Sequence, residues 1–128
     1  MKKLSLLLLL FLVGCAYRNP LEKADFRFQT LMVPPYVLSS WYHILEPGKP
    51  LTVYVEGYET PPTEFVRQQA VEDKTQNVAY IGRPCQYFQT AVCEKEITVT
   101  ESDKIVEKGI EQLKKKAGTF VVEVKGIK

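Results

Sequence analysis

The stretch LTVYVEG, residues 51–57, constrains the fold more than any other part of the chain. Leu51, Val53 and Val55 alternate with Thr52, Tyr54 and Glu56, and of these only Glu56 is strongly polar. A strand with two apolar faces belongs in the middle of a sheet covered on both sides. Two more short apolar runs follow, NVAYIG at 77–82 and TFVVEVKG at 119–126, each after a segment with helical spacing. Strands of this kind alternating with helices imply an α/β domain with a mostly parallel sheet and flanking helices.

The start of the domain reads differently. FRFQTLMV (26–33) alternates Phe26, Phe28 and Thr30 against Arg27, Gln29 and Leu31, which suits a strand with one buried face. YVLSSWYHIL (36–45) is a second strand, and Pro47-Gly48 breaks the chain after it. Together these segments suggest an antiparallel hairpin. The expected order is then β-β-β-α-β-α-β, and at 128 residues without an internal repeat the chain makes a single domain.

ESDKIVEKGIEQLKKKAG (101–118) is the clearest helix. Ile105, Val106, Gly109, Ile110, Leu113 and Ala117 fall on one face. Thr100 or Ser102 is expected to cap its start, and Gly118 to end it in the left-handed conformation. Lys114, Lys115 and Lys116 complement the negative end of the helix dipole, a plainer role than an anion site. An earlier helix is expected near 64–74 with Thr63 as its cap.

The first residues are not part of the fold. Lys2 and Lys3 precede an apolar run from Leu4 to Val13. That run is too short for a helix crossing a bilayer core of about 30 Å, and has the form of an export signal. It ends in Leu12-Val13-Gly14-Cys15, which resembles the lipobox of bacterial lipoproteins. The resemblance implies a signal peptide over 1–14, a lipidated Cys15 and attachment to the membrane through that lipid. Residues 15–25, polar and carrying Pro20, are expected to form a tether to a domain spanning 26–128. Removing Lys2 and Lys3 takes the formal charge from +2 to zero, so nothing points to a nucleic-acid partner. Ala16 is not the acidic residue associated with inner-membrane retention, which favours the periplasmic face of the outer membrane.

Outside the cytoplasm, Cys85 and Cys93 in RPCQYFQTAVCEK read first as a disulfide. Two free thiols or a metal site are the alternatives, although no CxxC or HxxxH is present and His43 is the single histidine. No metal and no cofactor is expected.

LTVYVEG, then VAYIGRPCQY with Cys93 behind it, then the long helix and FVVEVKG, resemble bacterial lipoproteins of the α/β-hydrolase fold. The likeness runs from about Leu31 to Gly126 and implies that Cys85 and Cys93 pair. It also implies that this chain is the N-terminal part of such a fold. In that fold the strand after the long helix feeds the nucleophile elbow G-x-S-x-G, and the loop after the third strand supplies the other oxyanion donor. Gly126 takes the place of the first elbow glycine, and Lys128 falls where the serine belongs. The triad acid and histidine follow the serine in chain order, so no catalytic residue is assigned within this chain.

In the loop after the third strand, Gly57 and Tyr58 are the candidate oxyanion residues. Tyr58 and Glu59 stand where the family pattern has Asp and Gly. His43 precedes the third strand and reads as an exposed histidine at a sheet edge. Glu56 and Glu59 read as surface acids rather than a glycosidic pair. The resemblance therefore implies a lipid-anchored envelope lipoprotein of serine-esterase type that is inactive as it stands, with a small ester as substrate only in a complete homologue. The competing expectation is a small non-catalytic lipoprotein serving as a binding or structural module at the envelope.

Overall fold

Alternation along the central strands decides the layers. A computed structural model describes residues 19–58, 62 and 64–126. Its elements are helix α1 (Pro20–Lys23), strands β1 (Arg27–Val33), β2 (Tyr36–Ile44) and β3 (Leu51–Val55), helix α2 (Glu64–Glu72), strand β4 (Asn77–Ile81), a 3-10 turn at Ala91–Glu94, helix α3 (Val99–Ala117) and strand β5 (Val122–Gly126). The strands form one mixed sheet in the order β1-β2-β4-β3-β5. β1 and β2 form the expected antiparallel hairpin around Pro34 and Pro35, and β2 runs antiparallel to β4. β3 lies parallel to both β4 and β5.

Every residue of β3 and of β4 is buried. One face of each strand feeds a core with α3: Leu51, Val53, Val55, Ala79 and Ile81 meet Val106, Ile110, Leu113 and Ala117. The opposite face places Tyr54, Val78 and Tyr80 with Trp41, Leu21 and the α2 residues Val66 and Ala70. The sheet thus has helices on both sides, as the doubly apolar strands require.

The helix ends follow local chemistry. α3 starts two residues earlier than expected: Thr98, not Thr100 or Ser102, accepts a hydrogen bond from the Glu101 N–H at 3.2 Å. Its C-terminus is closed by Gly118 at φ 68°, as expected. Residues 20–25 are no tether. Asn19 caps α1 through its side chain, Pro20 opens the helix, and Leu21 is fully buried against α2. Proline in the first turn of a helix costs no hydrogen bond, so Pro20 starts structure here instead of preventing it.

The turn at 46–50 joins strands that are not neighbours, since β4 lies between β2 and β3. The buried Asn77 holds it. Its carboxamide accepts from the Glu46 N–H at 3.1 Å and donates to the carbonyls of Glu46 and Lys49 at 2.8 and 3.0 Å. Among the described residues β1 is an edge strand, and it faces α3 with Leu31 and Val33 while Phe28 stays 47% exposed. β5 forms where a last strand is expected. It is largely exposed, because among the described residues only β3 flanks it. Residues 1–14, the expected signal peptide, and Cys15 lie outside the described residues.

α3 comes closest to the sheet at Gly109. A Cβ there would stand 2.8 Å from Ile81 Cδ1, 2.9 Å from Leu38 Cδ1 and 3.3 Å from Leu31 Cδ1. Those are ends of side chains that yield to one methyl, so Gly109→Ala should leave stability nearly unchanged as the gain in helix propensity offsets the crowding. Gly109→Leu should overpack the same spot and cost about 1–3 kcal/mol in urea unfolding. Equal stability of the two variants would contradict this packing.

Candidate functional site

The parallel strands β3, β4 and β5 end at the same rim of the sheet. From β3 the chain leaves toward α2 on one face, and from β4 it leaves toward α3 on the other. Neighbouring strands whose connections diverge in this way open a crevice at their carboxyl ends, the usual place for a ligand in an open α/β sheet. Here the crevice lies between Glu56, just after β3, and Arg83, two residues after β4.

Arg83 closes it. Its guanidinium donates to the Glu56 carbonyl at 2.6 Å, to Ser102 Oγ at 3.0 Å and to the Asp103 carboxylate at 2.7 Å. The ion pair is uneven, since Arg83 is 9% exposed and Asp103 52%. These contacts tie the end of β3 to the first turn of α3 across the end of β4.

Glu56 is not a surface acid. It is 2% exposed, and its carboxylate accepts from the phenol of the fully buried Tyr80. Glu56 follows Tyr54 by two, so it shares the α2 face and points toward Tyr80 instead of solvent. Tyr80 also bonds to the Tyr87 hydroxyl at 2.7 Å.

The loop after β4 carries this second tyrosine and the disulfide. Cys85 and Cys93 are bonded, with Cα atoms 5.7 Å apart, as expected. In the closed loop Gln86 accepts from the Arg83 N–H and donates to the Gly57 carbonyl, both at 2.7 Å. The Tyr58 hydroxyl donates to the Ile97 carbonyl. The candidate oxyanion loop at Gly57 and Tyr58 is therefore held from both sides. The Gly57 N–H meets the Glu56 carboxylate at 3.2 Å.

Gly126 lies beside this loop, because β3 and β5 are neighbours in register and Val55 stands opposite Gly126. A Cβ on Gly126 would come 3.1 Å from the Val55 carbonyl oxygen, so the approach is tight. A cleft of about 420 Å³ runs beneath, with Val55, Val106, Ile110 and Val124 as apolar lining and Arg83, Asp103 and Glu107 as polar lining. Glu59, Ile127 and Lys128 lie outside the described residues.

The remaining candidates sit elsewhere. His43 is opposite Val78, near the beginning of β4, and so at the far end of the sheet from the rim. It is half-buried against the Phe26 ring at 5.5 Å, on a strand between two others, not at an edge. Among the described residues no serine stands beside a histidine: Ser40 donates to the Gln29 carbonyl, and Ser102 accepts from Arg83. No three of His, Cys, Asp and Glu gather as metal ligands among the described residues. Sequence reasoning missed Arg83, Gln86, Tyr80 and Tyr87. A polar run directly after a doubly buried strand was the available signal for the first two. Comparison with family models, with curated proteins and with solved structures finds no match.

Three phenols near the core are held protonated. Burial pushes Tyr80 far above the ordinary phenol range, reinforced by Tyr87 and by its hydrogen bond to Glu56. Burial also raises Tyr87, against the opposing pull of Tyr80 and Arg67. Tyr54 is pushed up to about 12, by burial first and then by its hydrogen bond to Asp73. A folded pKa above the unfolded value of about 10 leaves stability intact below that pH and removes it above. Urea midpoints should stay level up to about pH 10 and then fall, each phenol contributing up to about 1.4 kcal/mol per pH unit. Tyr80→Phe should flatten the fall. An identical alkaline slope in that variant would show that Tyr80 does not carry it.

Proposed function

We propose that the chain is a lipid-anchored envelope protein built on the first part of an α/β-hydrolase sheet, and that by itself it has no serine-esterase activity. One observation carries the reading: Val55 and Gly126 are paired across the parallel strands β3 and β5. The loop holding Gly57 and Tyr58 therefore starts beside Gly126 at the carboxyl rim. An acyl-transfer enzyme of this type needs that neighbourhood, because one oxyanion donor comes from the loop after β3 and the other from the elbow. Helices on both faces of a mixed sheet, an antiparallel hairpin at its start and the Cys85–Cys93 bond agree with the same reading.

The anchor is Cys15, four residues before the cap of α1 at Asn19. Four residues reach at most about 14 Å, so lipid on Cys15 would hold the domain close against the bilayer. No helix of the described residues is long and apolar enough to cross a membrane, so attachment in this reading rests on the lipid. Lys128 holds the nucleophile position of the elbow pattern, which is why no turnover is expected.

A second reading has its own support. Arg83 fills the crevice at the switch point with three of its five N–H donors engaged, which suits a non-catalytic structural or binding module at the envelope.

In cells fed labelled palmitate, the wild-type chain should take up label and Cys15→Ala should not. Equal labelling of the two would remove the anchor from the proposal. The purified chain should neither hydrolyse p-nitrophenyl esters nor react with a serine-directed fluorophosphonate. Adduct formation on Ser39, Ser40 or Ser102 would overturn the inactive reading.

A further inference from the structure

We propose that the free edge of β5 pairs antiparallel with β5 of a second copy of this chain, with Val124 on the two-fold axis. This does not depend on the hydrolase reading. Among the described residues β5 is bonded to β3 alone, and its other edge is open. The Leu51 N–H donates to the Val121 carbonyl at 3.0 Å, and Leu51 stands opposite Val122. In a parallel ladder alternate residues direct both backbone groups to the same side. Glu123 and Lys125 therefore face β3, and the N–H and C=O of Val122, Val124 and Gly126 face outward.

A two-fold axis at Val124 matches these outward groups. Val124 meets the partner's Val124, and Val122 meets the partner's Gly126, both as hydrogen-bonded pairs. Glu123 then stands opposite the partner's Lys125 at a non-hydrogen-bonded position, where cross-strand side chains come closest. Opposite charges at such a position attract, and like charges repel. Symmetry makes the pair occur twice. Within one chain Glu123 and Lys125 approach only to 4.0 Å and are 68% and 48% exposed, so both are available to a partner.

The other side of the strand adds an apolar reason. Val122 and Val124 face the α3 side, where they and Phe120 line an open cleft of about 590 Å³ with Ile110. Phe120 is 96% exposed and Val124 55%. An unpaired strand edge beside an apolar strip is an association surface. The order Val-Glu-Val-Lys-Gly is complementary to itself about its centre, which selects a second copy over an unrelated edge strand.

Sedimentation equilibrium of the full chain in a non-ionic detergent tests this. The wild type should be a dimer. Glu123→Lys and Lys125→Glu should each weaken it roughly tenfold or more, since attraction becomes repulsion at two positions. The double reversal should restore it. Circular dichroism should show every variant folded, because these side chains are exposed. A wild type that stays monomeric at all concentrations would overturn the proposal. So would single reversals without effect, or a double reversal as weak as the singles.

Discussion

Burial of β3 on both faces is the constraint from which the rest follows. All five of its residues are enclosed, with Leu51, Val53 and Val55 on one side and Tyr54 on the other. No single helix can cover such a strand, so α2 and α3 must lie on opposite faces. With β4 and β5 parallel to β3 on either side, the chain must cross the sheet twice, once over each face. Those two crossings create the diverging connections, and the diverging connections create the crevice that Arg83 occupies. The position of the candidate site is thus a consequence of five residues of apolar alternation.

The contents of that crevice are costly to bury, and the network shows how the cost is offset. A guanidinium or a carboxylate moved out of water loses several kcal/mol of hydration, and recovers it only when its hydrogen-bonding capacity is met. Arg83 finds a backbone carbonyl, a hydroxyl and a carboxylate. Glu56 finds the Tyr80 phenol. Neither contact set is local in sequence: α3 supplies Ser102 and Asp103 to Arg83, and β4 supplies Tyr80 to Glu56. The disulfide loop adds Gln86 on the Arg83 backbone and Tyr87 on the Tyr80 hydroxyl. Closing that loop through Cys85 and Cys93 limits its freedom in the unfolded chain, worth about 2–3 kcal/mol for a loop of this length. The bond therefore acts on the site, by keeping Gln86 and Tyr87 where the ends of β3 and β4 need them.

How much of this was legible in the sequence depends on whether the signal was periodic. β3, β4 and α3 were readable because their apolar residues repeat at two or at 3.6 residues, and Gly118 because a helix end needs a left-handed residue. The cysteines were readable because an even pair at short spacing can close a loop. α1 was not, because a four-residue helix has no period, and the contact that buries it, Leu21 against α2, forms only in the folded chain. Glu56 was misread because acids are rarely buried unless paired, and its partner Tyr80 lies 24 positions away. Asn77 carries no periodic signal, and it holds the 46–50 turn through contacts that only the folded sheet brings together. β5 was legible as a strand but not from composition alone as a covered or an open one. Its apolar pattern was visible, but whether a strand is covered depends on its neighbours, not on its own composition.

β5 also shows how little sequence is needed to specify a pairing. The side-chain period of a strand is two, so a one-residue slip moves each side chain to the opposite face. On the α3 side of β5, Val122, Val124 and Gly126 tolerate several registers, because apolar contact has no direction. On the other side Glu123 and Lys125 do not. A slip of one residue would set a charge across from a valine, and a slip of two would set like charges together or leave one without a partner. The lysine also leans over the Tyr54 ring at 5.8 Å, so its position is already biased by β3 before any partner arrives. The same tyrosine bonds Asp73, just past the end of α2, at 2.6 Å, which places the choice of register at β5 under the influence of the core on the α2 face of the sheet.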